Sequence, residues 1–329
     1  MATMDDIARQ LGLSKGTVSK ALSGAADVSE TTRKSVVEMA VELGYSRISR
    51  ADAPQRVCVF VQNMGYEKPE DFGWDIITGF RKLAEPGGWQ VDIIPLTLEL
   101  QNSMGYDAYM LREGYRGALL LGMSLFDPWM KGFRGCTTPT VLYDNQSNRN
   151  PAVTQVGVDN GEGMELAVTH LKRLGHRKIG YLSSALGSYV YQARYAAFFD
   201  ALRKNKLPAQ RDLAGYDLRL TECVDKYLPR LLERGCTAVI CSHDLLAHMV
   251  LIYSQERDIA VPQNLSVIGF DDLPLCRYTI PALTTVRQDR EKIGKSAFYA
   301  LSSQIEHTPI STILLHAELV ERDSTGRVP

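Results

Sequence analysis

Hydrophobic positions recur at two different spacings along the chain, and the change from one to the other falls near Val57. Before it the spacing is helical, in three short blocks. In the first, Ile7, Ala8 and Leu11 share one helical face, Thr3 stands where a capping hydroxyl is needed with Asp6 three residues on, and Gly12 ends the run. The second block follows Ser14 and sets Val18, Ala21 and Leu22 on one face before Ser23-Gly24 stops it. The third is capped by Ser29, turns Val36, Val37, Met39, Ala40 and Leu43 inward, and ends at Gly44, a residue suited to the left-handed turn that closes helices. These blocks predict a small unit of three helices.

Beyond Val57, short β-rich apolar runs alternate with amphipathic stretches, the pattern of parallel sheets built from strand-helix-strand units. Strands are predicted at Val57–Val61, Gln90–Pro95, Gly117–Leu121, Thr140–Tyr143 and Gln155–Val158, all read as fully apolar, as strands buried on both faces should be. After Asp159 the alternation restarts with Lys178–Leu182, Leu213–Tyr216, Ala238–Cys241 and Leu265–Phe270, and with helices starting near Gly161, Tyr191, Thr221 and Asp244. Two α/β lobes are therefore expected. A last helix, Arg290–Glu306, and an extended stretch ILLHAELVERD follow, so the chain is expected to cross between lobes near Thr284–Gln288 and again near its end.

Composition narrows the function classes. The 329 residues exceed one ordinary core, and 45% hydrophobic with 23% charged residues is average for a folded soluble protein. Lys and Arg total 37 against 38 Asp and Glu, so any nucleic-acid surface has to be a local patch. The opening MATMDDIARQ has no apolar signal region and no run is long enough to span a bilayer, so a cytoplasmic protein without a membrane partner is expected. Six cysteines lie scattered without paired spacing, which reads as reduced core thiols and not as a disulfide frame or a zinc site.

A helix, a short turn at Gly12-Leu13-Ser14 and a second helix form a helix-turn-helix, whose second helix can lie in the major groove with its first residues at base edges. Lys15 and Lys20 can donate to guanine or phosphate, Thr17 and Ser19 suit phosphate or thymine methyl, and Gly16 leaves room for close approach. A serine-capped amphipathic helix alone is common to many proteins. The segment TMDDIARQLGLSKGTVSKALSGAADVSETTRKSVVEMAVELGY, however, resembles the headpiece of the lactose-repressor (LacI) family throughout its length. The family pattern G-V-S-x-x-T-V-S-R-x-L-N is matched from Gly12 to Ser23, and V-S-x-x-T-R by Val28, Ser29, Thr32 and Arg33. The resemblance implies that base reading falls on Lys15 and Gly16, with Lys20 where arginine is common. Thr3, Ser14 and Ser23 complete the DNA-facing set.

The likeness weakens after Tyr45. The family's Pro-Asn and Ala-Arg-x-Leu hinge, whose leucine wedges into the minor groove, is replaced by a shorter stretch from Ser46 to Arg56 without leucine. Arg47, Arg50 and Arg56 are then candidates for phosphate contacts, and Ile48 for a wedge. A solvated linker is the simpler reading, and a weaker operator bend than in relatives is expected.

Open α/β sheets bind ligands at the carboxyl ends of their strands. There, Asp144 closes PTVLYD, His243-Asp244 follow AVICS, and Asp271-Asp272 follow LSVIGF. Carboxylates with an arginine can hold vicinal hydroxyls while an aromatic ring covers an apolar sugar face. The resemblance continues through VGVDNGEGMELAVTHLKRLGHRKIGYL, VIGFDDLPLCRYTIPALTTVRQD and LVERDST. It implies effector binding by Arg194, Asp271 and Asp144, and by Phe72 at an aromatic position beside Gly73 and Trp74. His243 replaces the family's asparagine by an imidazole expected to titrate near neutrality. Tyr216 is a further candidate, whereas Gly161 and Gly163 read as the opening turn of a helix.

Enzyme signatures such as H-E-x-x-H, G-x-S-x-G or a Walker loop are missing from the sequence, so neither a catalytic residue, a metal nor a cofactor is expected. A solute-binding protein or a sensor with weak DNA binding is the rival reading, since the same two lobes would serve it. The expectation is a helix-turn-helix headpiece over residues 1–46, a short linker over 47–56, and a two-lobed α/β domain like that of periplasmic binding proteins over 57–329. Lobe 1 is expected at about 57–159 and 289–311, and lobe 2 at about 160–288 and 312–329. Such a chain acts as a homodimer, or as a tetramer, on a pseudo-palindromic operator under control of a small, sugar-like effector.

Overall fold

A computed structural model describes residues 2–45, 55–146 and 149–328. The chain divides into two compact units, one of Met1–Tyr66, Asp75–Val156 and Gly294–Ile313, the other of Glu67–Trp74, Gly157–Ile293 and Leu314–Pro329. In the first, α1 (Met4–Leu11), α2 (Lys15–Ser23) and α3 (Glu30–Glu42) close around Ile7, Val18, Leu22, Val36 and Ala40. Local chemistry sets their ends. Thr3 and Asp6 make a reciprocal capping box, Ser14 and Ser29 accept from the backbone of Thr17 and Thr32, and Gly12, Gly24 and Gly44 take positive φ where helices stop.

The rest of the first unit carries a sheet of β1 (Arg56–Val61), β2 (Gln90–Pro95), β3 (Ala118–Leu121), β4 (Thr140–Tyr143) and β5 (Val153–Val158), closed by the later strand β11 (Thr312–Leu315). Among the described residues its order is β11-β5-β4-β3-β1-β2, and the pairs from β2 to β5 are parallel. β3 and β4 are buried at every position. The edge strand β2 is not fully apolar as expected, because its outer positions are exposed or half-buried and Asp92 stands among them, bonded by Arg56 at 2.7 Å. Helix α4 (Phe72–Ala84) and, between β2 and β4, the short helices α5 (Leu98–Ser103), α6 (Tyr106–Glu113) and α7 (Pro128–Gly132) complete the connections.

The second unit repeats the plan with α8 (Asn160–Arg173), β6 (Ile179–Ser184), α9 (Tyr189–Lys204), β7 (Ala214–Asp217), α10 (Leu220–Glu233), β8 (Ala238–Cys241), α11 (Asp244–Glu256) and β9 (Ser266–Asp271). Thr284–Arg287, read from sequence as a crossing segment, forms β10 parallel to β9, and β12 (Glu318–Val320) pairs antiparallel with it. Helix α12 (Arg290–Ile305) lies between β10 and β11 in the chain. The sheet order is β12-β10-β9-β8-β6-β7. β6 therefore has β7 on one side and β8 on the other, and the carboxyl ends of β6 and β8 flank the point where strand order reverses, the place where such sheets leave a crevice. Gly163 in α8 is demanded by packing, since a Cβ there would lie 2.9 Å from the Phe270 ring and 3.0 Å from Val286. All six cysteines are buried and unpaired.

Candidate functional site

Burial of Val18, Ala21 and Leu22 against the headpiece core leaves Lys15, Gly16 and Lys20 of α2 exposed, with Thr17 and Ser19 half-buried. No acidic residue occupies the first turn of α2, so its positive dipole end is not offset within the helix. Gly16 is not required by the fold, because a Cβ there would meet only Ser14 Oγ at 3.7 Å. Both lysines have carboxylate partners: Lys15 Nζ lies 2.7 Å from Asp5 Oδ2, and Lys20 Nζ lies 2.5 Å from Asp27 Oδ2. The hydroxyls of the capping residues are engaged as well. Thr3 Oγ1 donates to Asp6, Ser14 and Thr17 share a hydroxyl bond of 2.9 Å, and Ser23 Oγ donates to the Lys20 carbonyl at 3.1 Å. Arg33 holds the loop before α3 by donating to the Ala25 carbonyl.

Of the linker candidates, Arg47, Ile48 and Arg50 lie outside the described residues. Arg56 does not serve as a linker cation. It opens β1 and donates to Asp92, the Glu113 carbonyl and Tyr115 Oη, with its guanidinium 4.7 Å from the Tyr115 ring centre. An arginine so held inside a strand pair is not available to phosphate.

In the second unit, polar groups converge where β6, β8 and β9 end. Arg194 on α9 is 2% exposed and its guanidinium lies 3.7 Å from the centre of the Phe270 ring. Its Nε donates to Asn160 Oδ1 at 2.8 Å, and its Nη1 to the Ser242 carbonyl at 2.6 Å and Asp271 Oδ1 at 3.3 Å. Asp271 also accepts from Gln288 at 2.6 Å, and its carbonyl accepts from Arg290 at 2.9 Å. Arg290 in turn stands 5.4 Å from the Phe72 ring centre, which ties Phe72 to this cluster. Burial pushes the Asp271 carboxyl upward against the pull of Arg194. Asp244 behaves similarly, raised first by burial and then by the Asp271 charge.

His243 departs from the sequence expectation of titration near neutrality. Burial, reinforced by the Arg194 charge, lowers its pKa to about 4. Its Nδ1 accepts from the Leu246 N–H and so caps α11, which leaves the proton on Nε2 to be donated to Ser184 Oγ at 2.8 Å. The imidazole is thereby held neutral in one tautomer. The ring nearest to it is Tyr191, with centroids 5.8 Å apart.

The paired aspartates separate by role. Asp244 accepts from the Leu273 N–H at 2.7 Å and from Thr285 Oγ1 at 2.5 Å, and Asp272 binds Arg287 and Arg322 at 2.7 and 2.6 Å, so both brace the unit. Tyr216 sits on the edge strand β7, 45% exposed, edge-on to Tyr195. Trp74, in the opening turn of α4, donates its backbone N–H to Asp71 and is half-buried. Asp144 belongs to the first unit, where it ends β4 with φ 46° and is buried. Asn160, Ser184, Tyr191, Gln288 and Arg290 are members of the second-unit cluster that sequence reasoning missed. Gln288 and Arg290 follow directly on β10, a strand read from sequence as a crossing segment.

Two family models match. Residues 3–47 match the family described as bacterial regulatory proteins, lacI family, and residues 168–325 the periplasmic binding protein-like domain. The HTH-type transcriptional regulator reg1 of Streptomyces lividans is 30% identical over 98% of this chain and 96% of its own length. The HTH-type transcriptional repressor CytR of Escherichia coli is 28% identical over 100% of this chain and 97% of its own. Among solved structures, a transcriptional regulator CelR-cellobiose complex superposes with a TM-score of 0.70 at 23% identity, over 98% of this chain and 100% of that one. A lac repressor dimer bound to operator and the anti-inducer ONPF gives 0.67 at 22% identity, covering 99% of both chains. The agreement with reg1 extends over nearly the whole of both chains, and this protein belongs to the LacI family of bacterial regulatory proteins.

Proposed function

We propose that this chain is a cytoplasmic transcription repressor whose affinity for a pseudo-palindromic operator is set by a small effector, a sugar or sugar derivative, bound at the Arg194–Asp271 cluster. The carrying observation is that one chain joins a capped helix with exposed Lys15 and Lys20 to a buried Arg194–Asp271 pair at carboxyl ends of a parallel sheet. The relatives support the first half by their names, and the cellobiose held by one structural neighbour supports the second. Lys15 and Gly16 read bases, Lys20, Thr17 and Ser19 hold phosphates, and the capped turns at Thr3, Ser14 and Ser23 sit against the backbone. Arg47 and Arg50 add phosphate contacts from the linker. Arg194 and Asp271 offer a donor fork and an acceptor to vicinal hydroxyls, with Asp144, Phe72, Trp74, His243 and Tyr216 as further effector contacts. The domain reading is a headpiece over residues 1–46, a linker over 47–56 and an effector and dimerisation domain over 57–329.

Two headpieces on one operator require a homodimer, since symmetry in the protein then mirrors symmetry in the site. The lac repressor neighbour is described as a dimer on its operator. An effector alters DNA affinity only as far as it binds the two states of the protein differently. The test is a mobility-shift assay at moderate salt with DNA from around the protein's own gene, repeated across a panel of mono- and disaccharides. A sequence-specific shift altered by one saccharide is expected. No specific shift by the full-length protein would overturn the reading in favour of a sensor that does not act on DNA.

A further inference from the structure

We propose that Asp5 is a specificity-determining residue of the DNA-binding surface, forming with Lys15 an acceptor-donor pair that fits the major-groove edge of a single G·C base pair. This rests on the reading that α2 lies in the major groove. Asp5 is the second residue of α1, and the capping of that helix is completed by Thr3 and Asp6 without it. Its carboxylate reaches instead across to α2 and holds the ammonium of Lys15, the first residue of that helix, at 2.7 Å. Both side chains stay more than half exposed, at 62% for Lys15 and 55% for Asp5. The pair therefore stands on the outer surface at the end of α2 that meets base edges in a helix-turn-helix complex.

The chemistry of that pair is specific. A lone lysine ammonium is a rotatable point donor that serves phosphate as readily as guanine. Fixed beside a carboxylate, it becomes one half of a two-point reader. A G·C pair offers guanine N7 and O6 as neighbouring acceptors and, beside O6, the cytosine N4 amino donor. O6 and N4 are bonded to each other and so lie about 3 Å apart, which matches the spacing of Lys15 Nζ and Asp5 Oδ2. Lys15 donates to the guanine edge while Asp5 accepts from cytosine N4. On an A·T or C·G pair that order is reversed, with an amino donor facing the ammonium and a carbonyl acceptor facing the carboxylate, whereas a T·A pair keeps O4 and N6 in the matching order and differs beside them, with a methyl in place of guanine N7. Asp5 thus opposes A·T and C·G pairs, whereas its charge lowers attraction to phosphate at every site alike.

The experiment selects binding sequences from random duplexes with the full-length protein. It then measures affinities for single base-pair variants of the selected site with wild type, Asp5→Ala, Asp5→Asn, Lys15→Ala and Asp5→Ala/Lys15→Ala. Wild type is expected to lose about tenfold or more in affinity when one G·C pair of each half-site becomes A·T or C·G. Asp5→Ala and Lys15→Ala should each reduce that discrimination to about threefold or less at the same base pair, with no further loss in the double variant. Asp5→Asn keeps size and helix, and should lose the preference too, because its amide no longer offers acceptors alone. Unchanged discrimination with a uniform rise in affinity in both Asp5 variants would overturn the proposal, and so would relaxation at a base pair other than the one Lys15 governs. If Lys15→Ala leaves discrimination intact everywhere, α2 does not read bases, and the DNA-binding geometry falls together with the proposal.

Discussion

Replacing Arg194 by alanine tests the proposed effector cluster most directly. The substitution removes donors to Asn160, to the Ser242 carbonyl and to Asp271, and uncovers the Phe270 ring, all at a site only 2% exposed. Breaking a buried ion pair by removing one partner costs about 3–5 kcal/mol when the other keeps its charge. Asp271 has a way to lower that cost, because burial already pushes its carboxyl upward and Arg194 is the first of the groups opposing the push. In the variant it takes up a proton. A carboxyl whose folded pKa lies above its unfolded value of about 3.9 binds the extra proton in the folded state. Its stabilising contribution is then full at low pH and is lost as pH climbs from the unfolded value to the folded one. The expected penalty is therefore the full ~3–5 kcal/mol at pH 8 and distinctly less at pH 5. Urea unfolding of wild type and Arg194→Ala at both pH values measures it. Asp271→Asn added to Arg194→Ala should recover part of the loss at pH 8 by removing the stranded charge. Equal penalties at both pH values, with no recovery in the double variant, would refute the coupling of Arg194 to Asp271. Effector binding by Arg194→Ala, followed by calorimetry, should be lost while operator affinity stays near wild type; a retained response counts against the site.

Four further outcomes follow from the geometry. His243, with a folded pKa of about 4 below the unfolded value near 6.5, contributes stability that is full above the unfolded value and lost as pH falls toward the folded one; effector affinity should be flat from pH 6 to 8, and a step near 6.5 in a titration series would contradict the neutral imidazole. Asp272 is pushed up by burial but held below the usual range by the stronger pull of Arg322 and Arg287, so its contribution is present above about pH 4 and lost below it. Asp272→Asn should cost about 2–3 kcal/mol at neutral pH and flatten the acid limb of the stability curve. Gly163→Ala brings a Cβ against Phe270 and Val286; melting should show a loss of about 1–3 kcal/mol, and effector affinity should fall because the displaced ring lies under Arg194. Lys20→Ala should weaken binding evenly across DNA sequences and lower the slope of log affinity against log salt by about one, a change measurable by anisotropy at several salt concentrations.

What the sequence disclosed of the fold depended on the range of the interactions involved. Thr3, Ser14 and Ser29 cap helices through partners three residues away, so the headpiece could be read residue by residue. Central strands such as β3 and β8 are buried at every position and therefore appear as unbroken apolar runs. Thr284–Arg287 escaped recognition because three of its four residues are polar. In the structure both threonines are fully buried, and their hydroxyls bond Asp244, Thr325 and the Arg322 backbone, partners 38 or more residues away that meet them only on folding. Helices α5 and α7, of six and five residues, are too short to carry a period at all.

The site shows the same limit more sharply, because neighbouring residues of one type take opposite parts. Asp271 and Asp272 are adjacent and chemically identical, yet burial raises the carboxyl of the first while two arginines lower that of the second. Both hold positive φ, 117° and 51°, a turn that L-residues rarely adopt and that sends successive side chains toward different partners. Asp272 is clamped by Arg287 and Arg322, and these bonds close the end of β9 onto β10 and the segment after β12. Asp271 is held by Arg194 from α9 and by Gln288, through side chains whose donors a polyhydroxyl ligand can replace. Under the proposed function, a ligand that competes for Arg194 would act on a carboxyl whose charge is already costly to bury, and would leave the neighbouring clamp untouched. One carboxyl of the pair is raised by burial and the other is clamped across the strand ends, a division that rests on partners up to 77 residues distant and on no local pattern.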